Sequence, residues 1–114
     1  MAKTPIDLYR RGSANSPKMD NVRPDLDVAV YEYNNETWVM ETLVGQSPGG
    51  ISTFANSGKG KNWWKLDADT EIPPELELIN DHGNHWLWKP RQAMPISKYK
   101  IALQLIGESF YKVS

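Results

Sequence analysis

Three short segments of this chain hold side chains that can do chemistry. Leu8-Tyr9-Arg10 ends an alternating run in a guanidinium, whose rigid fork of donors suits a phosphate or a ribose edge where a Lys would be only a point charge. From the residues alone, Arg10 reads more readily as a surface residue at the end of an edge strand. Gly49-Gly50-Ile51-Ser52-Thr53-Phe54 sets two hydroxyls behind a pair of glycines, and Gly50 would let the backbone approach a ligand closely. The same segment also reads as a Gly-rich hairpin loop with a solvated serine. In His85-Trp86-Leu87-Trp88-Lys89-Pro90 an imidazole able to donate or accept a hydrogen bond opens an apolar strand; its alternative role is a structural bond to a nearby loop.

His82 and His85, three residues apart and beside Asp81, have the composition of a metal site. Placed on an adjoining turn and strand they are expected to point different ways, with no third strong ligand at a helical spacing. No metal is therefore expected, and His82 is assigned to the turn.

These segments need a scaffold of short strands. Ile6 to Arg10 alternates apolar and polar residues, as does Asp27 to Tyr33 before Asn34-Asn35, a pair suited to a hairpin, with Thr37 to Met40 as the returning strand. Gln46-Ser47-Pro48-Gly49-Gly50 is a loop, and Ile51 to Phe54 after it is a short strand or a first helical turn. A second polar loop, Asn56 to Asn62, leads to Trp63-Trp64-Lys65-Leu66. Pro73-Pro74 then delivers the chain to Glu75 to Asn80, with Leu76 and Leu78 on one face, and Asp81 to Asn84 turns it back into His85 to Trp88. The one good helix starts from Ser97 as N-cap, carries Ile101, Leu105 and the pair Ala102/Ile106 at helical period, and stops at Gly107. The reading is an α+β domain without repeats or linkers, occupying residues 1–114 as one unit.

Composition narrows the function classes. With 13 Lys+Arg against 14 Asp+Glu, no strong field marks a nucleic-acid or anionic-membrane partner. The chain has no cysteine, so a thiol nucleophile, a disulfide framework and a thiolate metal site are excluded. Neither a cleavable signal pattern nor an apolar run of about 18 residues is present, so no membrane association is expected. Five tryptophans are many for this length; most are expected in the core, with one of Trp63 and Trp64 facing outward because adjacent strand residues face opposite ways.

Taken in order, Leu8-Tyr9-Arg10, Gly49 to Phe54, Thr70-Glu71-Ile72-Pro73-Pro74-Glu75-Leu76, His85 to Pro90 and Met94-Pro95 resemble a small family of NAD-dependent toxins with an ADP-ribosyltransferase fold. The best-known members are type VI secretion effectors that arrest the growth of competing bacteria. The resemblance runs from about residue 6 to residue 106. It implies a split β-sandwich around an NAD cleft with a C-terminal helix, a cognate immunity protein, and delivery from the producer's cytoplasm to that of the target cell. It also implies that Arg10, with Tyr9, meets the dinucleotide. Ser52 stands beside the nicotinamide with Gly50 and Thr53, and His85 takes the third position, which makes Ser52 and His85 the expected catalytic pair; the outward member of the adjacent pair Trp63 and Trp64, taken as Trp63, is the candidate to stack on a nicotinamide or adenine ring.

Related transferases usually have a Glu at that third position, and a neutral imidazole lacks the full negative charge a carboxylate offers an oxocarbenium ion. Three functions follow as alternatives: transfer of ADP-ribose to an unidentified acceptor or simple NAD hydrolysis, a same-fold toxin acting by binding alone, and a non-enzymatic Trp-rich β module recognising sugar or peptide.

Overall fold

The computed structural model describes residues 2–41 and 49–114. The expected loop at residues 46–48 lies outside the described residues. The order of elements is β1 (Leu8–Arg11), β2 (Val30–Tyr33), β3 (Glu36–Val39), β4 (Ile51–Phe54), β5 (Trp63–Leu66), β6 (Leu76–His82), β7 (His85–Pro90), β8 (Met94–Pro95), α1 (Ile96–Gly107) and β9 (Tyr111–Lys112). The architecture is α+β. Antiparallel pairing joins six strands in the order β6-β7-β4-β1-β5-β9 and three in the order β2-β3-β8.

Local chemistry explains most boundaries. Asn34 and Asn35 both take positive φ, 51° and 60°, the backbone that a tight two-residue hairpin between β2 and β3 requires. The choice left open at Ile51 to Phe54 resolves as a strand, β4, paired to β7 on one side and to β1 on the other. Ile72 is buried and its N–H donates to the Ala2 carbonyl, so the Thr70 to Leu76 motif is a fixed approach to β6.

The helix differs from expectation in start and phase. It follows Pro95 without a side-chain cap, and Ser97 lies inside its first turn. Its buried stripe is Tyr99, Ala102, Leu103 and Ile106, while Ile101 and Leu105 face outward, 65% and 57% exposed. Tyr99 sets that phase: its ring is fully buried and its hydroxyl donates to the Trp88 carbonyl at 2.6 Å. A chain of apolar residues at helical period admits more than one face, and the large ring with a satisfied hydroxyl selects one. The two-residue strand β9, too short to show alternation, adds an edge to β5 after the helix.

Alternation with period two gives the six-stranded sheet two unlike faces. Leu8, Ile51, Leu66, Leu76 and Trp88 point to the core shared with Tyr99 and Leu103 of α1. Tyr9, Ser52, Phe54, Trp63, Lys65, His85 and Leu87 occupy the other face, as the registers Tyr9↔Phe54, Tyr9↔Lys65, Phe54↔His85 and Ser52↔Leu87 require.

Candidate active site

Ser52, Asp81 and His85 sit on β4, β6 and β7. Ser52 and His85 share the outer face of neighbouring strands, and the Ser52 hydroxyl stands 2.9 Å from His85 Nε2. On the far side of the ring, His85 Nδ1 lies 3.1 Å from Asp81 Oδ2. An ionised carboxylate can only accept, so a neutral His85 donates from Nδ1 to Asp81 and turns the Nε2 lone pair toward the serine hydroxyl. The result is a hydroxyl, imidazole and carboxylate in a hydrogen-bonded line, the arrangement in which a serine proton can pass to the ring while the carboxylate fixes the tautomer and stabilises the imidazolium.

A β-bulge builds this line. Asn80 pairs with Trp86 but His82 with His85, so Asp81 is an extra residue on β6. Such an insertion re-aims side chains and is over-represented beside active sites. Here it brings Asp81 and His82 to the face of His85, where His82 Nδ1 also lies 2.8 Å from Asp81 Oδ2. Hydrogen bonds from His85 and then His82 hold the Asp81 carboxyl below its ordinary range. The His85 ring rests on Phe54, centroids 5.5 Å apart, and Phe54 in turn meets the edge of Trp63 at 6.5 Å. The imidazole is thus held by a ring on one side and a carboxylate on the other, and its side chain remains 20% exposed.

Arg10 reaches the same strand from the opposite face. It shares the side of Leu8 and pairs across to Trp64. Its Nη1 donates to the Ser52 carbonyl at 2.8 Å, its Nε to the Pro17 carbonyl at 2.9 Å and its Nη2 to the Lys18 carbonyl at 2.9 Å. The guanidinium therefore clamps the loop at residues 17–18 to the backbone that carries the Ser52 hydroxyl. Burial draws its pKa below the usual value and the nearby Asp27 opposes that shift, so it stays charged.

Residues 3–112 match the family model described as the Tse2 ADP-ribosyltransferase toxin. The chain belongs to that family. No curated protein and no solved structure matches it.

For a member of this toxin family, the expected site residues divide into three groups. Ser52 and His85 are in direct contact, and Arg10 joins them through the Ser52 carbonyl, so the three meet at β4 although Arg10 approaches from the other side. Tyr9 lies on the His85 face, paired to Phe54, with the Lys65 ammonium 5.9 Å from its ring centre.

Three other residues are placed differently from expectation. Thr53 is completely buried on the core face, where its hydroxyl donates to the Trp86 carbonyl and accepts from Trp88 Nε1, so it is out of a ligand's reach. Gly50 has φ of 136°, and a Cβ there would stand 2.3 Å from the Trp88 carbonyl oxygen; its missing side chain serves the approach of β4 to β7. Trp63 is buried beneath the Gly58 to Lys59 loop, and its Nε1 donates to the Lys59 carbonyl, so it supports Phe54 and offers no open ring face. Trp64 is the partner that lines an open depression, of about 330 Å³, together with Pro17, Met19 and Phe110. That hollow is on the Arg10 side of the sheet. Trp88 is buried as well, Trp64 and Trp86 pack against the core, and Trp38 stands apart on β3 beside the Tyr31 and Tyr33 rings.

Contrary to the expectation that His82 and His85 point different ways, the bulge brings the two histidines together. Asp81 and His82 belong to β6, the turn is only Gly83-Asn84, and the His82 and His85 rings are neighbours at 5.1 Å. Asp81 as the partner of His85, and Phe54 as its support, were not foreseen. A Gly-Asn pair is a two-residue hairpin signal, and taken as such it would have placed His82 directly opposite His85.

Proposed function

We propose that the protein is an NAD-consuming ADP-ribosyltransferase toxin whose chemistry runs on the Ser52, His85 and Asp81 line. The observation that carries this reading is that line itself, partly open to solvent on one face of a chain that belongs to the toxin family. A neutral imidazole alone is a poor substitute for the usual Glu, but here Asp81 stands behind it, so the pair presents an anion one ring removed. In the reaction the C1′–N bond of the nicotinamide ribose breaks and nicotinamide leaves with the bonding electron pair. The acceptor's nucleophile then bonds to C1′, and its proton passes to His85 Nε2 while Asp81 stabilises the imidazolium. With water as acceptor the same step is NAD hydrolysis.

Under this reading the two sheets are the halves of a split β-sandwich and NAD lies along the Tyr9, Ser52 and His85 face. Arg10 then contributes by fixing the Ser52 strand. The protein would act in a target cell's cytoplasm as a type VI secretion effector and be held harmless in the producer by an immunity protein.

Mass spectrometry of NAD incubated with the pure protein tests the reading. Release of free nicotinamide by the wild type, lost in Ser52→Ala and His85→Ala variants that keep the wild-type melting temperature, is expected. NAD that binds in calorimetry yet stays intact over long incubation with candidate acceptors would leave a toxin that acts by binding alone.

A further inference from the structure

The same bulge that aligns His85 creates a second chemical possibility, one that the site's charge-relay role does not use. His82 is 77% exposed at its side chain, takes no part in the line to Ser52, and yet its ring is turned inward onto Asp81. One ligand atom from each of Asp81, His82 and His85 lies within 4.8 Å of the others. Asp81 Oδ2 is 2.8 Å from His82 Nδ1 and 3.1 Å from His85 Nδ1. In a tetrahedral zinc site with ligands at about 2.0–2.1 Å, neighbouring donor atoms are separated by roughly 3.3 Å. Two of the three edges are thus already close to a metal's requirement, and the exposed His82 side chain has the freedom to close the third.

We propose that Asp81, His82 and His85 form a binding site for a divalent cation of the zinc class, and that filling it switches off the Ser52–His85 relay. Two imidazoles and one carboxylate suit Zn²⁺ and disfavour Mg²⁺ or Ca²⁺, which take oxygen ligands. Three protein ligands leave a fourth position for water, as in other open zinc sites. The consequence for His85 follows from its two nitrogens. With Asp81 alone, Nδ1 carries the proton and Nε2 accepts the Ser52 hydroxyl. When Nδ1 binds the metal, a neutral ring carries its proton on Nε2, which then donates toward Ser52 and cannot take a proton from it. His82 changes in the same way: in each ring the Nδ1–H bond is broken, the proton passing to solvent, and an Nε2–H bond is formed with a proton from solvent, so both imidazoles stay neutral and the net change is the three metal–ligand contacts.

The inhibitory half of this proposal rests on the NAD chemistry proposed above; the binding half does not. Chelator-treated, untagged protein is titrated with Zn²⁺ by calorimetry and with Co²⁺ by visible absorption. One equivalent should bind with a tetrahedral Co²⁺ spectrum. His82→Ala should weaken binding at least about tenfold, the minimum expected since loss of even an outer partner costs that much. Absence of 1:1 binding, or unchanged affinity in His82→Ala, would overturn the site. In parallel, nicotinamide release is followed with and without Zn²⁺. Wild type should be inhibited with the occupancy read by calorimetry, whereas His82→Ala should keep its metal-free rate at the same Zn²⁺ concentration. Zn²⁺ that binds but leaves the rate unaltered would overturn the switch. A wild type that binds Zn²⁺ but never consumes NAD would instead defeat the catalytic reading while leaving the cation site standing.

Discussion

Ser52 and Thr53 are adjacent hydroxyls on one strand, and they have opposite uses. Thr53 points into the core, has no exposure, and is satisfied on both sides by the β7 backbone and the Trp88 indole. Ser52 points outward to His85, whose other nitrogen reaches Asp81. The inner face of the sheet spends its polar groups on holding Trp88 and Tyr99 in place, while the outer face keeps a hydroxyl, an imidazole and a carboxylate partly open to solvent. A buried polar group must find fixed partners because leaving it unpaired is costly; a half-exposed one can exchange its partner for a substrate. One strand thus serves as core on one side and as the proposed active surface on the other.

The largest effect expected on the inner face is that of Trp88→Ala. Its side chain is fully buried, and truncation of such an indole typically costs about 3–5 kcal/mol, a large share of a small domain's stability. Urea unfolding should show the midpoint falling sharply. A loss under about 1 kcal/mol would mean that the inner face is not the packed core described.

The pair Thr53→Val and Ser52→Ala tests the division itself. Thr53→Val leaves the buried Trp88 N–H without its acceptor and should cost about 1–3 kcal/mol, with residual activity in proportion to folded protein. Ser52→Ala should change the melting temperature little and abolish most of the activity. Equal stability losses from the two variants would erase the distinction between the faces.

A smaller effect concerns acid. Burial alone would raise the Asp27 carboxyl, but the Arg23 fork, the Arg23 N–H and the charge of Arg10 outweigh it and hold the group below its ordinary value. A carboxyl depressed by folding contributes stability above its unfolded pKa of about 3.9, and that contribution is lost as pH falls through the lower folded value. Asp27→Asn should therefore show a shallower decline of melting temperature below about pH 4, an effect under about 1 kcal/mol because the Arg23 partner is open to solvent screening. An unchanged acid limb would show that Asp27 has no such linkage.

Much of this was readable from residue order. The strand runs and the Asn34-Asn35 hairpin follow from alternation and turn chemistry, which are local, whereas the choice of Ser52 and His85 rests on the family resemblance and the strand at Ile51 to Phe54 is decided only by its pairing to β7. Three features depend on long-range partners. The bulge at Asp81 exists only relative to β7, so counting Asp81 and His82 as turn residues hid the partner of His85. Helix phase was ambiguous because Ile101 and Leu105 are as apolar as the residues that are buried, and the Tyr99 to Trp88 bond decides between the faces. Gly50 and Trp63 were assigned to a ligand because a missing side chain and an aromatic ring serve close packing and ligand contact equally well; only the Trp88 carbonyl and the Lys59 loop show which applies.

The central claim is that Asp81 orients His85 for chemistry at the outer face, and Asp81→Asn tests it most directly. The substitution keeps the shape of the side chain and removes the acceptor-only carboxylate that fixes the His85 tautomer. Steady-state nicotinamide release should show kcat falling by at least about a hundredfold with KM for NAD nearly unchanged and the fold intact by near-ultraviolet circular dichroism. A wild-type kcat in Asp81→Asn would contradict the account.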